Sequence, residues 1–349
     1  SSAESSGLLN RVRASLKKES LSFIELGGVK PNPRSGLVYE GIELCRKEKV
    51  DFILAVGGGS VIDSAKAIAA GVPYSGDFWD FYSKGLTVEA CIPVGTILTI
   101  AAAGSEGSGD TVVTHENGMY KRGAHGDCLR PKFSILNPEL TMTLPPYQTA
   151  CGASDIMAHV FERYFTNTKD VEVTDRLCEA VLLTMVNEVP KIIKNPSDYE
   201  ARANIMWAGM VAHNNIVGVG RDQDWNSHGI EHELSALYDV AHGAGLAVIF
   251  PAWMKFVYKH DVMRFAQIAV RLWGCQMDFQ NPEKTALEGI AKYEAFLQSI
   301  GMPISFKEIG AKEEDIPLLV EKFGIGDGKT GGFVQLDKKA VESIYRLAL

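Results

Sequence analysis

The stretch Asp51–Gly71, DFILAVGGGSVIDSAKAIAAG, decides the fold of the first part of the chain. Asp51–Val56 is a short apolar run with the length and composition of a buried strand. It enters Gly57-Gly58-Gly59-Ser60 and passes directly into helical spacing from Val61, which Gly71 and then Pro73 stop. A strand–turn–helix junction of this kind brings backbone N–H groups and the positive end of a helix toward an anion. Glycine permits both the tight turn and the close approach of a phosphate. Asp63 falls in the first helical turn, where a carboxylate suits the dipole and could reach a ribose or an amide. The spacing is not G-x-G-x-x-G, so the usual dinucleotide fingerprint is absent. The turn reads either as a diphosphate site or as a tight junction without ligand.

Outward from this unit, strand-like and helical runs alternate. Leu21–Leu26 reads as a strand, Gly36–Lys49 as a helix with a charged end, and CIPVGTILTI, DTVVTHE and KFSIL as further strands. That alternation predicts a mostly parallel sheet with helices on both faces. After Leu144-Pro145-Pro146 the strand signals fade and long amphipathic stretches take over. VTDRLCEAVLLTMVNEVPKII has apolar residues at Leu177, Val181, Met185 and Val189, and Ser197 with Glu200 reads as a capping box. The expectation is an α/β domain over 1–145, a dinucleotide-binding one if the glycine turn is a diphosphate site, and an all-helical domain over 146–349.

The chain has 349 residues, 46% hydrophobic, enough for two domains, and a formal net charge of −8. With no dense Lys/Arg block, nucleic acid and anionic membranes are not expected partners. The six cysteines form no C-x-x-C, no apolar run reaches membrane-spanning length, and no signal peptide is visible. A reduced, cytoplasmic protein is expected. The Gly-Lys-Thr of FGIGDGKTGG is not a P-loop, because Phe323 stands where its first glycine is needed, and it reads as a surface loop.

Two clusters in the second half suggest a metal. Asp155 and His159 are four apart on one predicted helix face, and His228 and His232 are four apart on another. His242 lies fourteen residues after His228, roughly 21 Å of rise on an unbroken helix. Either His242 is irrelevant or the chain folds back before it. A carboxylate with imidazoles suits Zn²⁺ or Fe²⁺ better than Ca²⁺ or Mg²⁺. Each pair alone reads equally as a helix-surface contact or a satisfied core histidine. His115, His125, His213 and His260 have no comparable partners, although His213 precedes NNIVGVG and could line a cleft.

Four stretches, GGVKPNP, DFILAVGGGSVIDSAKAIAAG, PKFSILNPELTMTLP with TACGASDIMAHVFERY, and GVGRDQDWNSHGIEHELSALYDVAHGAGLAVIFPAWM, together resemble the iron-containing (group III) alcohol dehydrogenase family, in its NAD(P)H-dependent butanol dehydrogenase branch. The resemblance implies a dehydroquinate synthase-like architecture with the active site in the cleft between the two domains. It implies Asp155, His159, His228 and His242 as ligands of Fe²⁺ or Zn²⁺, and His232 near the nicotinamide and the proton path. For NAD(H) or NADP(H) it implies Gly57, Gly58, Gly59 and Ser60 at the pyrophosphate, Asp63 beside it, and Thr96, Thr99, Ser105, Lys121 and Leu140 around the cofactor. It pairs His228 with His242, which requires the helix from His228 to end near Tyr238-Asp239.

The resemblance further implies a homodimer acting on a small alcohol or aldehyde such as butanol or butanal. A first strand and glycine-rich turn, which contribute to cofactor choice and pairing, precede the point in the family pattern where this chain starts. Gly107-Ser108 stands where relatives carry Met-Asn, and Asn137 where they carry Asp. A divalent ion on one carboxylate and three neutral imidazoles would carry a charge near +1 and act as a Lewis acid. Trp207, Trp225 and Phe250 are candidates for an apolar pocket or for core. The rival readings are a glycerol-dehydrogenase-like polyol oxidoreductase, a non-catalytic metal-binding relative, and a metal-dependent hydrolase. The hydrolase lacks H-E-x-x-H, and a short-chain dehydrogenase would need a Y-x-x-x-K.

Overall fold

The computed structural model describes residues 2–349 as two compact units. The first comprises residues up to 100 together with Ser105–Leu140. The second comprises Ala101–Gly104 and Thr141–Leu349. The division therefore falls at 140/141, not 145/146, and the second unit also takes in a four-residue excursion of the early chain.

In the first unit α1 (Ser2–Ser5), α2 (Leu8–Lys18) and α3 (Ser35–Glu48) precede β1 (Ile53–Gly57), α4 (Gly59–Gly71) and α5 (Asp80–Ser83). β2 (Val94–Leu98), β3 (Asp110–His115), β4 (Tyr120–His125) and β5 (Phe133–Ile135) follow. β1, β2 and β5 form a parallel sheet in the order β1-β2-β5, with Ile53 opposite Val94 and Gly95 opposite Phe133. Alternation sorts its faces. Leu54, Val56 and Ile97 pack against Ala3, Leu8 and Val12 of α1 and α2, while Ile53 points to the core that contains Val38 and Ile42 of α3 and Ala67 and Ile68 of α4. The sheet is thus covered by helices on both faces, as α/β layering requires.

Two sequence expectations are corrected here. Asp110–His115 does not join the parallel sheet; it pairs antiparallel with β4 as a separate hairpin. Gly118 and Met119 turn it at φ 85° and 50°, and the preceding Asn117-Gly118 is the local signal that favours such a turn. Leu21–Leu26 forms no regular element and pairs with no strand among the described residues, and Leu21 and Ile24 remain exposed.

The second unit is helical: α6 (Pro146–Tyr164), α7 (Glu172–Lys194), α8 (Tyr199–His213), α9 (Asn226–Tyr238), α10 (His242–Val257), α11 (Val262–Trp273), α12 (Pro282–Ser299), α13 (Phe306–Ile309), α14 (Ile316–Phe323) and α15 (Lys338–Leu347). Every residue of α6 from Thr149 to Tyr164 is buried, as is most of α10. Helices apolar nearly all round belong inside a helical layer. Phe161, Phe165, Phe250, Trp253 and Phe265 join them in one continuous aromatic core. The cap of α8 is Asp198, whose carboxylate accepts from Ala201 N–H at 3.0 Å, rather than the expected Ser197. α9 stops at Tyr238 because Asp239 adopts φ 52°, and α10 begins at His242.

Candidate functional site

α6, α9 and the first residue of α10 bring together Asp155, His159, His228 and His242. Asp155 and His159 lie one turn apart on α6, 4% and 5% exposed, so neither is a helix-surface pair in solvent. His228 lies near the start of α9 and is equally buried. The break at Asp239 returns the chain, so that the His228 and His242 rings are 5.2 Å apart. Gly243 and Gly245 make that return possible. A Cβ on Gly243 would stand 1.9 Å from the Cys151 carbonyl oxygen, and one on Gly245 would stand 2.4 Å from Glu231 Oε1.

Nε2 of His228 and Nε2 of His242 each lie 3.8 Å from Asp155 Oδ1, and the ligand atoms of these three residues lie within 4.8 Å of one another. His159 stands beside this trio: its ring is 4.4 Å from that of His228, and its Nδ1 is turned to the Asp155 backbone oxygen at 2.9 Å and to Oδ1 at 2.9 Å. Of the four residues grouped from the sequence, three therefore converge directly. The fourth is held next to them by a hydrogen bond to its own helix. His232 is half-buried beside both rings, with separations of 5.5 Å to His242 and 6.3 Å to His228. Glu231, His232 and His242 also form a group with ligand spacing.

A divalent ion fits this place. His228 Nε2 is buried without a hydrogen-bond partner among the described residues, a condition that costs about 1–3 kcal/mol if nothing else supplies a partner, and Asp155 Oδ1 faces the nitrogens of three imidazoles. The donor set of one carboxylate and imidazole nitrogens suits Fe²⁺ or Zn²⁺. Two carboxylates that the sequence reading passed over stand behind the imidazoles. Glu162 Oε2 lies against His228 Nδ1, and Glu231 Oε2 against His242 Nδ1. Counting them, a divalent ion with neutral imidazoles would sit in a cluster of charge near −1, not +1.

Burial works against charge on His228, but Glu162 and Asp155 overcome it and raise its pKa to about 9. Burial lowers that of His159. Asp155 is also penalised by burial, yet His159 and His242 hold its carboxyl well below the usual range.

Around the trio, Arg163 Nη2 meets His213 Nδ1 at 2.8 Å and its guanidinium stacks over Trp225 at 4.6 Å. The His213 ring stands edge-on to His159 at 4.4 Å. Trp225 is thus part of this neighbourhood, whereas Phe250 belongs to the core and Trp207 is 60% exposed on α8.

In the first unit, α4 starts at Gly59 with Gly58 as its cap residue and no side-chain cap. Gly58, Gly59 and Ser60 are half-buried. A Cβ on Gly58 would meet Ile100 Cγ2 at 2.2 Å. Asp63 does not project freely: Oδ1 accepts from Ser105 Oγ at 2.5 Å and Oδ2 from Val112 N–H at 3.1 Å. Behind them Lys66, wholly buried, donates to the carbonyls of Ser105, Ser108 and Asp110 at 2.6, 2.9 and 2.8 Å. Burial lowers its pKa to about 8, against the pull of Asp63. The Gly107-Ser108 departure lies on this cradle.

Thr96 is fully buried and donates to Ser134 Oγ, the half-buried Thr99 donates its N–H to the Gly57 carbonyl, Lys121 is buried and donates to Asn32 Oδ1, and Leu140 packs with Leu54 and Val56. Lys66 had a visible sign in the sequence, a lone charge in the run AKAIAA. Glu162 and Glu231 had none beyond their helical phase.

Comparison with known proteins identifies the family. Residues 1–138 match the family "Iron-containing alcohol dehydrogenase" and residues 149–349 match "Fe-containing alcohol dehydrogenase family, C-terminal". The chain is 42% identical to the probable NADH-dependent butanol dehydrogenase 2 of Bacillus subtilis over 350 residues, covering 100% of this chain and 90% of that protein. It is 36% identical to the NADPH-dependent aldehyde reductase YqhD of Escherichia coli, covering 92% and 83%. The crystal structure of NADH-dependent butanol dehydrogenase A from Thermotoga maritima superimposes with a TM-score of 0.95 at 40% identity, covering 99% of this chain and 88% of that one. The chain belongs to the iron-containing alcohol dehydrogenase family.

Proposed function

We propose that the protein is a metal-dependent alcohol dehydrogenase that reduces a small aldehyde, of the size of butanal, with NADH or NADPH and catalyses the reverse oxidation. The observation that carries this reading is the convergence of Asp155, His228 and His242, with a carboxylate against the Nδ1 of each imidazole and the Nε2 side turned to a common point. We assign Asp155, His159, His228 and His242 as ligands of Fe²⁺ or Zn²⁺, with His159 joining through Nε2 while its Nδ1 stays on the Asp155 carbonyl. When bound, the ion supplies Lewis acidity at the substrate oxygen.

The chain's own residues supply the rest. Asp155 provides the compensating negative charge. The ring of Trp225 and the Arg163 guanidinium stacked on it wall the His159 side. His232, half-buried and outside the trio, exchanges the proton that the alkoxide oxygen gains or the alcohol loses. We assign the first unit to the nucleotide, which supplies the hydride. The Gly57–Ser60 turn takes the pyrophosphate, Asp63 and Ser105 hold the neighbouring segment in place, and Thr96, Thr99, Lys121 and Leu140 shape the same side. NADH in the Bacillus relative and NADPH in the Escherichia relative leave both nucleotides within the proposal. The homodimeric state and cytoplasmic location expected from the sequence belong to the same proposal.

The test is nucleotide oxidation in the presence of butanal. Protein stripped by chelation should be inactive and regain turnover with Fe²⁺ or Zn²⁺. Metal-loaded protein that oxidises neither NADH nor NADPH would sink the reading.

A further inference from the structure

We propose that Glu162 and Glu231 are positioning residues that fix the proton of His228 and His242 on Nδ1 and so free each Nε2 for the metal, and that they do so by different means, Glu162 through hydrogen-bond polarity and Glu231 through charge. The inference rests on the metal reading above.

Glu162 lies on α6, one turn beyond His159, and is 1% exposed. Its Oε1 accepts from two donors, the Ser227 hydroxyl and the His228 backbone N–H at 3.0 Å. Its Oε2 lies against His228 Nδ1. A carboxylate only accepts, so the facing Nδ1 must carry the hydrogen. Glu231 lies on α9, 0% exposed, with Oε1 accepting from the Ser235 hydroxyl and Oε2 lying against His242 Nδ1. The two look alike, but an amide in each place separates them.

In Glu162→Gln the single amide oxygen is claimed by the two donors at the Oε1 position, one of which is a backbone N–H that cannot turn away. The NH₂ then faces His228 Nδ1, which must be bare, and the imidazole proton moves to Nε2, the atom that should bind the ion. In Glu231→Gln the amide can reverse, because the Ser235 hydroxyl accepts as well as donates. Its oxygen then still takes the His242 Nδ1 proton. The tautomer survives and only the charge is lost.

Zn²⁺ competition against a chromophoric chelator, run on the full chain, should show affinity falling by roughly 100-fold in Glu162→Gln and by about 10-fold or less in Glu231→Gln, the two ends of the range for outer-shell partners. Ser227→Ala, which leaves the Glu162–Nδ1 contact in place, should stay close to the parent. The deciding readout is histidine ¹⁵N NMR of the metal-free proteins above pH 9, where His228 is neutral and a single tautomer can be read, with His228 and His242 assigned from His→Asn variants. His228 Nδ1 should be protonated in the parent and bare in Glu162→Gln, while His242 Nδ1 should stay protonated in Glu231→Gln.

A carboxylate that merely ties α6 to α9 would not move the Nδ1 proton. A protonated His228 Nδ1 in Glu162→Gln, or equal losses of Zn²⁺ affinity in the two variants, overturns the inference. Should Glu162→Gln fail to fold, a bare His242 Nδ1 in Glu231→Gln overturns it alone. A parent protein that binds neither Zn²⁺ nor Fe²⁺ refutes the metal reading instead, and the nitrogen measurement still decides the tautomers.

Discussion

His232 and His242 are neighbours in space, yet they should respond differently to loss of the ring. His242 Nε2 shares Asp155 Oδ1 with His228, so His242→Ala should empty the site as read by metal analysis. His232→Ala should keep its metal, lower kcat by about 10²–10⁴-fold, the range for a lost general acid–base group, and lose one limb of the pH profile. Metal missing from the His232→Ala protein would reverse the two assignments. In the other unit, Glu106 gives a stability prediction with a definite sign. Burial raises its pKa from 4.5 to about 7, and its Oε1 has no partner among the described residues. Between those values the folded chain binds the extra proton, so the contribution of Glu106 is fully present below pH 4.5 and lost as pH rises through 7. The shift corresponds to about 3 kcal/mol. Denaturant titrations at pH 5 and pH 8 should show Glu106→Gln losing less stability across the interval than the parent, and parallel curves would refute it. Residues of this kind set the limit of reading from sequence. Asp155 and His159 were visible through their i, i+4 spacing. Glu162 was one acidic residue among 43 Asp and Glu, and its role depends on α9 lying across α6.

At the scale of elements, the junction of α9 and α10 carries the most information. Periodicity alone favoured His228 with His232, and the decisive feature is the left-handed Asp239 that ends α9. Asp tolerates that conformation through its short polar side chain, and the same residue within a helix would have been unremarkable, so the break was not readable from local sequence. The hairpin β3–β4 was missed for the opposite reason: Asn117-Gly118 was there to be read, but the strand-like run before it fitted the parallel pattern. Strands β1 and β2 and the helices α3, α4 and α7 were visible in their hydrophobic periods, because each buries a face or more of its length, and β5 was read from its apolar run although Phe133 and Ile135 stay exposed. Close packing at the junction predicts the effect of one methyl group. Gly243→Ala places Cβ against the Cys151 carbonyl, backbone that cannot rotate away, so α10 must lift from α6. Overpacking of this sort costs about 1–3 kcal/mol, and because His242 is the first residue of the lifted helix, Zn²⁺ affinity should fall together with the melting temperature. Gly301→Ala, where a Cβ meets nothing within 4 Å although φ is +81°, should cost about 1–2 kcal/mol of backbone strain and leave Zn²⁺ binding unchanged. Weakened binding in both variants would mean that the affinity follows stability, not the placement of His242.

For the whole molecule, the two units divide the proposed ligands between them. All the metal-ligand candidates fall within Thr141–Leu349, and the glycine turn with Asp63, Lys66 and Ser105 falls within the other unit. A ligand that binds only the folded state stabilises it by about 2.7 kcal/mol at a hundred times its dissociation constant, and the stabilisation is felt first by the elements that hold it. Hydrogen exchange on the full chain should therefore show Zn²⁺ slowing amides of α6, α9 and the start of α10, and NADH or NADPH slowing those of β1, α4 and the segment 105–112. In His242→Ala the zinc-dependent protection should disappear and the nucleotide-dependent protection should remain. Should the nucleotide instead protect only helices of the second unit, the assignment of the Gly57–Ser60 turn to the pyrophosphate would fall, because an anion held at the uncapped start of α4, where Gly58, Gly59 and Ser60 are half-buried, must protect that segment.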